Sequence, residues 1–349
     1  MARYPHAAEL TTKLSYALKC AVVWSINGAN AISADNKYGY GYISFGGNDE
    51  AMSLYNAIDS NDILLVIGAT PDEYTTNHKP FNALETFFLT NIENAYGTIG
   101  DSFKHHAKGK YYHVYGPLDD LLRGLLSEAE KQHFLNQPCP PSPDNLNHRE
   151  VLPPRAGYVD MAAFYLRLHE WWPENSVVFD DVCLAYKDRQ YVTQRPNSHL
   201  RSYSLYRGSA MGGAFGAAVG TKIASPDSSV FIFTGDGCFR LFSGALGEAR
   251  DFGIVIFLLN NAYFSIVGQG LPIIMPEVSE DRYHSRLTEI DYCGVARACG
   301  WDAEKVNDDL SNLDEILNKI GSRRSRSILV EIPVDPLQTL GLNPRAHNL

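Results

Sequence analysis

Apolar residues fall along this chain in two alternating kinds of run. The short, unbroken ones, ILLVIG at 63–68, SVFIFT at 229–234, IVIFLL at 254–259 and SILVEIPV at 327–334, have the length and β-branched content of buried strands. Others space their apolar positions three and four apart and predict helices over 7–19, 50–59, 158–171 and 241–252. A further helix is expected in PLDDLLRGLLSEAEKQHF, which opens with Pro117 where a helix tolerates proline, and a glycine-rich one from about 211. Strands at Ala21–Ile26, Phe87–Thr90, Tyr112–Tyr115 and 176–180 complete an alternation that predicts the α/β class.

The pattern breaks once. NQPCPPSPDNLNHREVLPP, 136–154, is dense in Pro and Asn and has no period, so it is expected to join two domains. The predicted layout is a first domain over 1–135, a linker over 136–156 and a second domain over 157–349. Each is expected to be a mainly parallel sheet flanked by helices.

Composition narrows the partners. With 349 residues, 45% apolar and 20% charged, the chain can bury two sizeable cores. A formal net charge of −10 argues against nucleic acid or an anionic membrane as the main partner. Six cysteines with no C-x-x-C pair read as reduced thiols, and the amino terminus has neither signal nor membrane-span character, so a cytoplasmic location is expected.

Candidate chemistry lies at two strand ends. In open α/β sheets ligands sit beyond the carboxyl ends of the strands. One such end here carries Gly235-Asp236-Gly237 and the next carries Asn260-Asn261. The 22 residues between Gly237 and Asn260 suit one helix plus one strand, which brings both tips side by side. A carboxylate, an amide oxygen and a backbone carbonyl there form a hard-oxygen site of the kind Mg²⁺ takes when phosphate fills the remaining positions. Glycines flanking Asp236 let backbone approach a diphosphate closely.

G-D-G, an intervening helix and strand, then N-N, which in this chain is GDGCFRLFSGALGEARDFGIVIFLLNN, resembles the signature of thiamine-diphosphate-dependent enzymes. RGSAMGGAFGAAVGTKIA, DYCGVARACGW and ILVEIPVDP extend the likeness through the second domain. AVVWSINGANAI, NDILLVIGA and the stretch from FFLTNIENAYG to DDLLRGLL are similar to the central domain of the acetolactate synthase-like branch.

The resemblance implies thiamine diphosphate and Mg²⁺ as cofactors. Asp236 and Asn261 would ligate the metal by side chain and Tyr263 by its carbonyl. Met211 would wedge beneath the bent cofactor, with the Ser209 carbonyl and the Met211–Gly212 backbone at the aminopyrimidine. Gly235, Gly237, Cys238, Phe239, Phe264 and Ser265 would lie around the diphosphate, mostly through backbone contacts, and Asn260 would hold the turn.

Three departures from the family matter. The branch has a pyrimidine-binding domain whose glutamate drives cofactor tautomerism, and this chain starts at Met1 where the central domain should start. A separate pyrimidine-domain subunit is therefore expected to supply that glutamate, in a dimer of heterodimers. The G-D-G to N-N spacing is short, trimmed near Gly253, and DDVCLAY at 180–186 stands where the family often has Gly and a polar residue. The activity implied is decarboxylation of a 2-oxo acid with carboligation. Alternatives are simple decarboxylation, a non-catalytic scaffold, or an NAD enzyme, the last disfavoured by the missing G-x-G-x-x-G. Nothing in the sequence argues for FAD.

Overall fold

The computed structural model describes residues 6–76, 79–93, 102–132, 139–206, 210–322 and 325–343. These form two compact α/β units: one of residues 1–149 with 194–198 and 341–349, the other of 150–193 with 199–340.

In the first unit, β1 (Val22–Trp24) pairs in parallel with β2 (Gly39–Tyr42). β3 (Ile63–Ile67), β4 (Glu85–Thr90) and β5 (Lys110–Tyr115) form a second parallel sheet in that order. The period-2 alternation of β3 explains its two-sided cover. Leu65 and Ile67 pack with Leu10 and Leu14 of the helix Ala7–Leu18 and Leu122 of the helix Leu118–Lys131, while Leu64 and Val66 pack with Tyr55, Phe81 and Phe88 on the opposite face. Residues 139–149, inside the expected linker, are not slack. The Cys139 N–H donates to the Lys19 carbonyl at 2.9 Å, Ser142 N–H to Lys37 at 2.7 Å, and the Tyr40 hydroxyl to Pro140 at 2.9 Å. The change of unit thus falls at Glu150.

The second unit is one six-stranded sheet, parallel throughout. Its strands are β6 (Ser176–Asp180), β7 (Leu200–Ser204), β8 (Ser229–Gly235), β9 (Val255–Asn260), β10 (Asp302–Lys305) and β11 (Ile328–Pro333), in the order β10-β11-β9-β8-β6-β7. Alternate residues feed separate cores. Phe231 and Phe233 of β8, Val255 and Phe257 of β9, and Val330 and Ile332 of β11 join one cluster; Val230, Ile232, Ile256, Leu258 and Leu329 join the other. Burial on both faces is why these strands read as unbroken apolar runs, and it leaves the strand ends as the exits from the core.

The helix expected over 241–252 differs. A single α-turn, Asp236–Phe239, is followed by a 3₁₀ segment, Ser243–Ala249. Gly244 and Gly247 weaken α-helix there, and the Leu246 carbonyl, which an α-helix would give to the residue four on, accepts instead from the Trp301 indole N–H at 2.7 Å. Gly253, at φ +66°, makes the turn into β9, a left-handed conformation that glycine adopts without strain. All six cysteines are free, and no helix among the described residues is long and apolar enough to cross a membrane.

Phe257, fully buried on β9, stacks 5.1 Å from Phe233 and 6.1 Å from Phe231. Phe257→Ala should destabilise the second unit by about 3–5 kcal/mol, the usual cost of emptying an aromatic core position. Urea unfolding followed by the signal of Trp172, packed on Phe231, checks this.

Candidate cofactor and metal site

β8 and β9 are neighbours, with Gly235 beside Leu259, so their carboxyl ends carry Asp236 and Asn260-Asn261 side by side. Asp236 is 1% exposed. Its Oδ1 accepts the Gly237 N–H at 3.0 Å, and its Oδ2 has no hydrogen-bond partner. Burial pushes its pKa up to about 6 against the opposing pull of the Gly237 N–H, Arg240 and the Ala262 N–H. That the Ala262 amide acts on this carboxylate puts the two motifs in contact.

The Asn261 turn is built by its own side chain. Oδ1 accepts the Tyr263 N–H at 3.0 Å, and Nδ2 donates to the Ser265 hydroxyl at 2.7 Å. Ala262 takes φ +51°, uncommon for a residue with a Cβ. The chain is held there by Leu287 N–H on the Ala262 carbonyl at 2.8 Å and Phe264 N–H on Ser285 at 2.7 Å. The Tyr263 carbonyl accepts from Ser265 N–H at 2.9 Å. Ser265 begins the helix Ser265–Ile274.

The glycines have separate reasons. A Cβ on Gly237 would lie 2.4 Å from Phe264 Cε1, so the Phe264 ring lies directly on this glycine. At Gly235 a Cβ would meet only Cys183 Cβ at 3.4 Å. Gly212, at φ +84°, precedes the helix Gly213–Ala224.

Met211 is half-buried at the start of that turn, and Ser209 lies outside the described residues. The Phe239 side chain is 1% exposed and packs on Phe242 and Tyr292 in the core, so only its backbone can face a ligand. The Cys238 thiol points to the Val182 carbonyl at 3.1 Å, and burial raises its pKa, which makes it a packed thiol.

Asp181 has a place in the site that its motif does not announce. Following β6, it accepts the Gly212 N–H with both oxygens at 3.0 and 3.1 Å and the Thr234 hydroxyl at 3.0 Å. It ties the Met211–Gly212 turn to the end of β8. A signal for it does exist in the sequence, since it is an acid just past a strand end, as Asp236 is.

These residues fit a divalent cation. Among the described residues no group of three His, Cys, Asp or Glu side chains could hold one. What the strand ends offer is one buried carboxylate oxygen without a hydrogen-bond partner, beside an amide oxygen and a backbone carbonyl, the kind of hard-oxygen donors that a divalent ion such as Mg²⁺ takes.

Residues 183–332 match the model of the thiamine pyrophosphate enzyme C-terminal TPP binding domain. The chain is 25% identical over 333 residues to acetolactate synthase isozyme 2 large subunit of Escherichia coli K12, covering 93% of this chain and 56% of that protein. It is 24% identical over 372 residues to 3D-(3,5/4)-trihydroxycyclohexane-1,2-dione hydrolase of Bacillus subtilis 168, covering 96% and 56%. The chain therefore spans little more than half the length of these relatives. Among solved structures, thiamine diphosphate-dependent 4-hydroxybenzoylformate decarboxylase of Rhodococcus jostii RHA1 superposes with a TM-score of 0.70 at 18% identity, over 95% of this chain and 59% of that one, a likeness of fold. The resemblance seen in the sequence stands: the chain carries a match to a thiamine pyrophosphate-binding domain and is similar to acetolactate synthase large subunits.

A carboxylate whose pKa rises from 3.8 to about 6 on folding favours the folded state only while protonated. The cost of ionising it appears as pH rises through that window and reaches roughly 3 kcal/mol above it. Asp236→Asn should therefore stabilise the ligand-free chain at pH 7.5, and the gain should vanish near pH 4. Thermal unfolding of both proteins across that range checks it; a gain independent of pH would show that ionisation of Asp236 is not what costs stability.

Proposed function

We propose that this chain binds thiamine diphosphate through Mg²⁺ and forms one half of an enzyme that decarboxylates a 2-oxo acid and transfers the remaining fragment to an acceptor. The observation that carries this reading is the meeting of Asp236, one oxygen unpartnered, with the Asn261–Tyr263 turn at adjoining strand ends, inside residues that match a thiamine pyrophosphate-binding domain.

In this reading Asp236 Oδ2, Asn261 Oδ1 and the Tyr263 carbonyl ligate Mg²⁺, and diphosphate and water complete its shell. The bare backbone at Gly235 and Gly237, with that of Cys238, Phe239, Phe264 and Ser265, lies against the diphosphate. Met211 supports the bent cofactor from a turn that Asp181 fixes through Gly212 N–H. Thiamine diphosphate, when bound, supplies a nucleophilic carbon and an acceptor for the electrons released with CO₂. The chain's own part is to bind, orient and exclude water.

Proton exchange at the aminopyrimidine needs an acid–base group. We place it on a pyrimidine-binding domain of a partner subunit, which makes a dimer of heterodimers the complete enzyme. Carboligation is preferred to simple decarboxylation because the relatives similar over nearly the whole chain include acetolactate synthases. A non-catalytic scaffold is disfavoured by Asp236, since a buried carboxylate with an unpartnered oxygen weakens a fold that does not use it.

Calorimetric titration of thiamine diphosphate in MgCl₂, with and without a chain carrying the pyrimidine domain, tests the reading. Tight Mg²⁺-dependent binding and turnover of a 2-oxo acid are expected only with the partner, and Asp236→Ala should abolish turnover of the complex. Turnover by the chain alone would remove the partner from the proposal, and absence of binding in every combination would remove the cofactor.

A further inference from the structure

Asn260, whose neighbour Asn261 is the metal-ligand candidate, is tied to the adjacent strand twice. Its carbonyl accepts the Val334 N–H at 2.9 Å, and its Nδ2 donates to Glu331 Oε1 at 3.0 Å. Glu331 lies on β11 between Val330 and Ile332, both fully buried, and is itself only 5% exposed. A carboxylate in the middle of an apolar strand costs free energy unless its oxygens are occupied. Here they are. Lys305, paired with Glu331 across the β10–β11 register, places Nζ 3.1 Å from Oε1, and the Cys293 thiol donates to Oε2 at 3.4 Å. Asn260, Glu331, Lys305 and Cys293 together line a cavity of about 500 Å³ at the carboxyl ends of β9, β10 and β11. The Asn260 side chain thus has open space beside it, and the hydrogen bond to Glu331 selects the rotamer it takes.

The turn that follows needs such an anchor. Ala262 sits at φ +51°, a strained conformation for alanine that persists only where its surroundings over-determine it. Downstream the turn is held by backbone bonds to residues 285 and 287. Upstream it is held by Asn260.

We propose that Glu331 is a positioning residue for the cofactor site: by holding Asn260 it fixes the strand end from which Asn261 and the Tyr263 carbonyl are presented to Mg²⁺ and the diphosphate. The inference rests on the cofactor reading above. Outer groups that orient metal ligands typically contribute ten- to a hundredfold to metal affinity, which sets the size of the effect.

The test compares wild type with Glu331→Ala, Glu331→Gln, Asn260→Ala and the Glu331→Ala/Asn260→Ala double variant by two measurements. Hydrogen exchange of the peptide spanning residues 259–268 is read without ligand, and Mg²⁺-dependent thiamine diphosphate affinity is read by calorimetry in the preparation that binds best. Glu331→Ala and Asn260→Ala should each speed exchange and weaken affinity at least tenfold. The double variant should be no worse than the more severe single, because both remove one interaction. Glu331→Gln keeps an acceptor for Asn260 and should stay within a few-fold of wild type. Wild-type exchange and affinity in Asn260→Ala, or losses that multiply in the double variant, would overturn the proposal. Asn260→Ala decides it even where Glu331→Ala fails to fold. If wild type binds no thiamine diphosphate the cofactor reading fails, and the positioning role in that site falls with it; the exchange data then report only whether Glu331 holds the turn.

Discussion

Asp236 is a carboxylate that the fold buries and then leaves half unsatisfied. One oxygen takes the amide of the next residue, the other takes nothing, and the group responds by holding its proton to about pH 6. A few kcal/mol is a large share of a domain's net stability, so a device of this kind persists where something outside the chain supplies the missing charge. In the proposed function a divalent ion would supply it. The rest of the second unit can be understood as the means of holding this one group in place.

The means is the sheet. Because β8, β9 and β11 are covered on both faces, the strand interiors have no room for a ligand, and polar chemistry is confined to their carboxyl tips. There the polar groups come in a row across neighbouring strands: Asp181 after β6, Asp236 after β8, Asn260 and Asn261 at the end of β9, and Glu331 within β11. Asp181 reaches forward to the Gly212 turn and sideways to Thr234, while Glu331 reaches to Asn260. The central acid is the one left open, and the acids on either side are satisfied by protein donors. A site with one unsatisfied oxygen among satisfied neighbours directs a cation to a single place.

What the chain discloses before folding follows the same physics. The two-sided strands are legible because burial on both faces leaves an apolar run, and Asp236 and Asn261 are legible because G-D-G and N-N interrupt such runs at their ends. The helix expected over 241–252 fails because apolar spacing says nothing of Gly244 and Gly247, nor of an indole elsewhere in the chain that takes a carbonyl. Asp181 and Glu331 stay hidden for a different reason. Their meaning lies in partners distant in the chain, the Gly212 turn and Thr234 for one and Asn260 for the other, and sheet order is not written in local pattern. The ring of Phe239 belongs to the core, a burial that the motif alone does not announce.

The two glycines of the motif are held by different neighbours, and that difference bears on how the site was assembled. Gly237 is enforced from within, since the Phe264 ring occupies the volume of any Cβ there, whereas Gly235 meets nothing closer than 3.4 Å. The first contact joins the two motifs: a residue from the Asn261 turn packs on the residue after Asp236, and the Ala262 amide acts on the Asp236 carboxylate. Each strand tip is therefore shaped by the other before any ligand arrives. In the proposed function an ion and a diphosphate would meet a geometry already in place, whose cost is carried in the unliganded fold by the burial of Asp236 and the left-handed Ala262. Preorganisation of that kind spends stability to gain affinity, and it accounts for a half-satisfied buried carboxylate and a left-handed alanine meeting at one point.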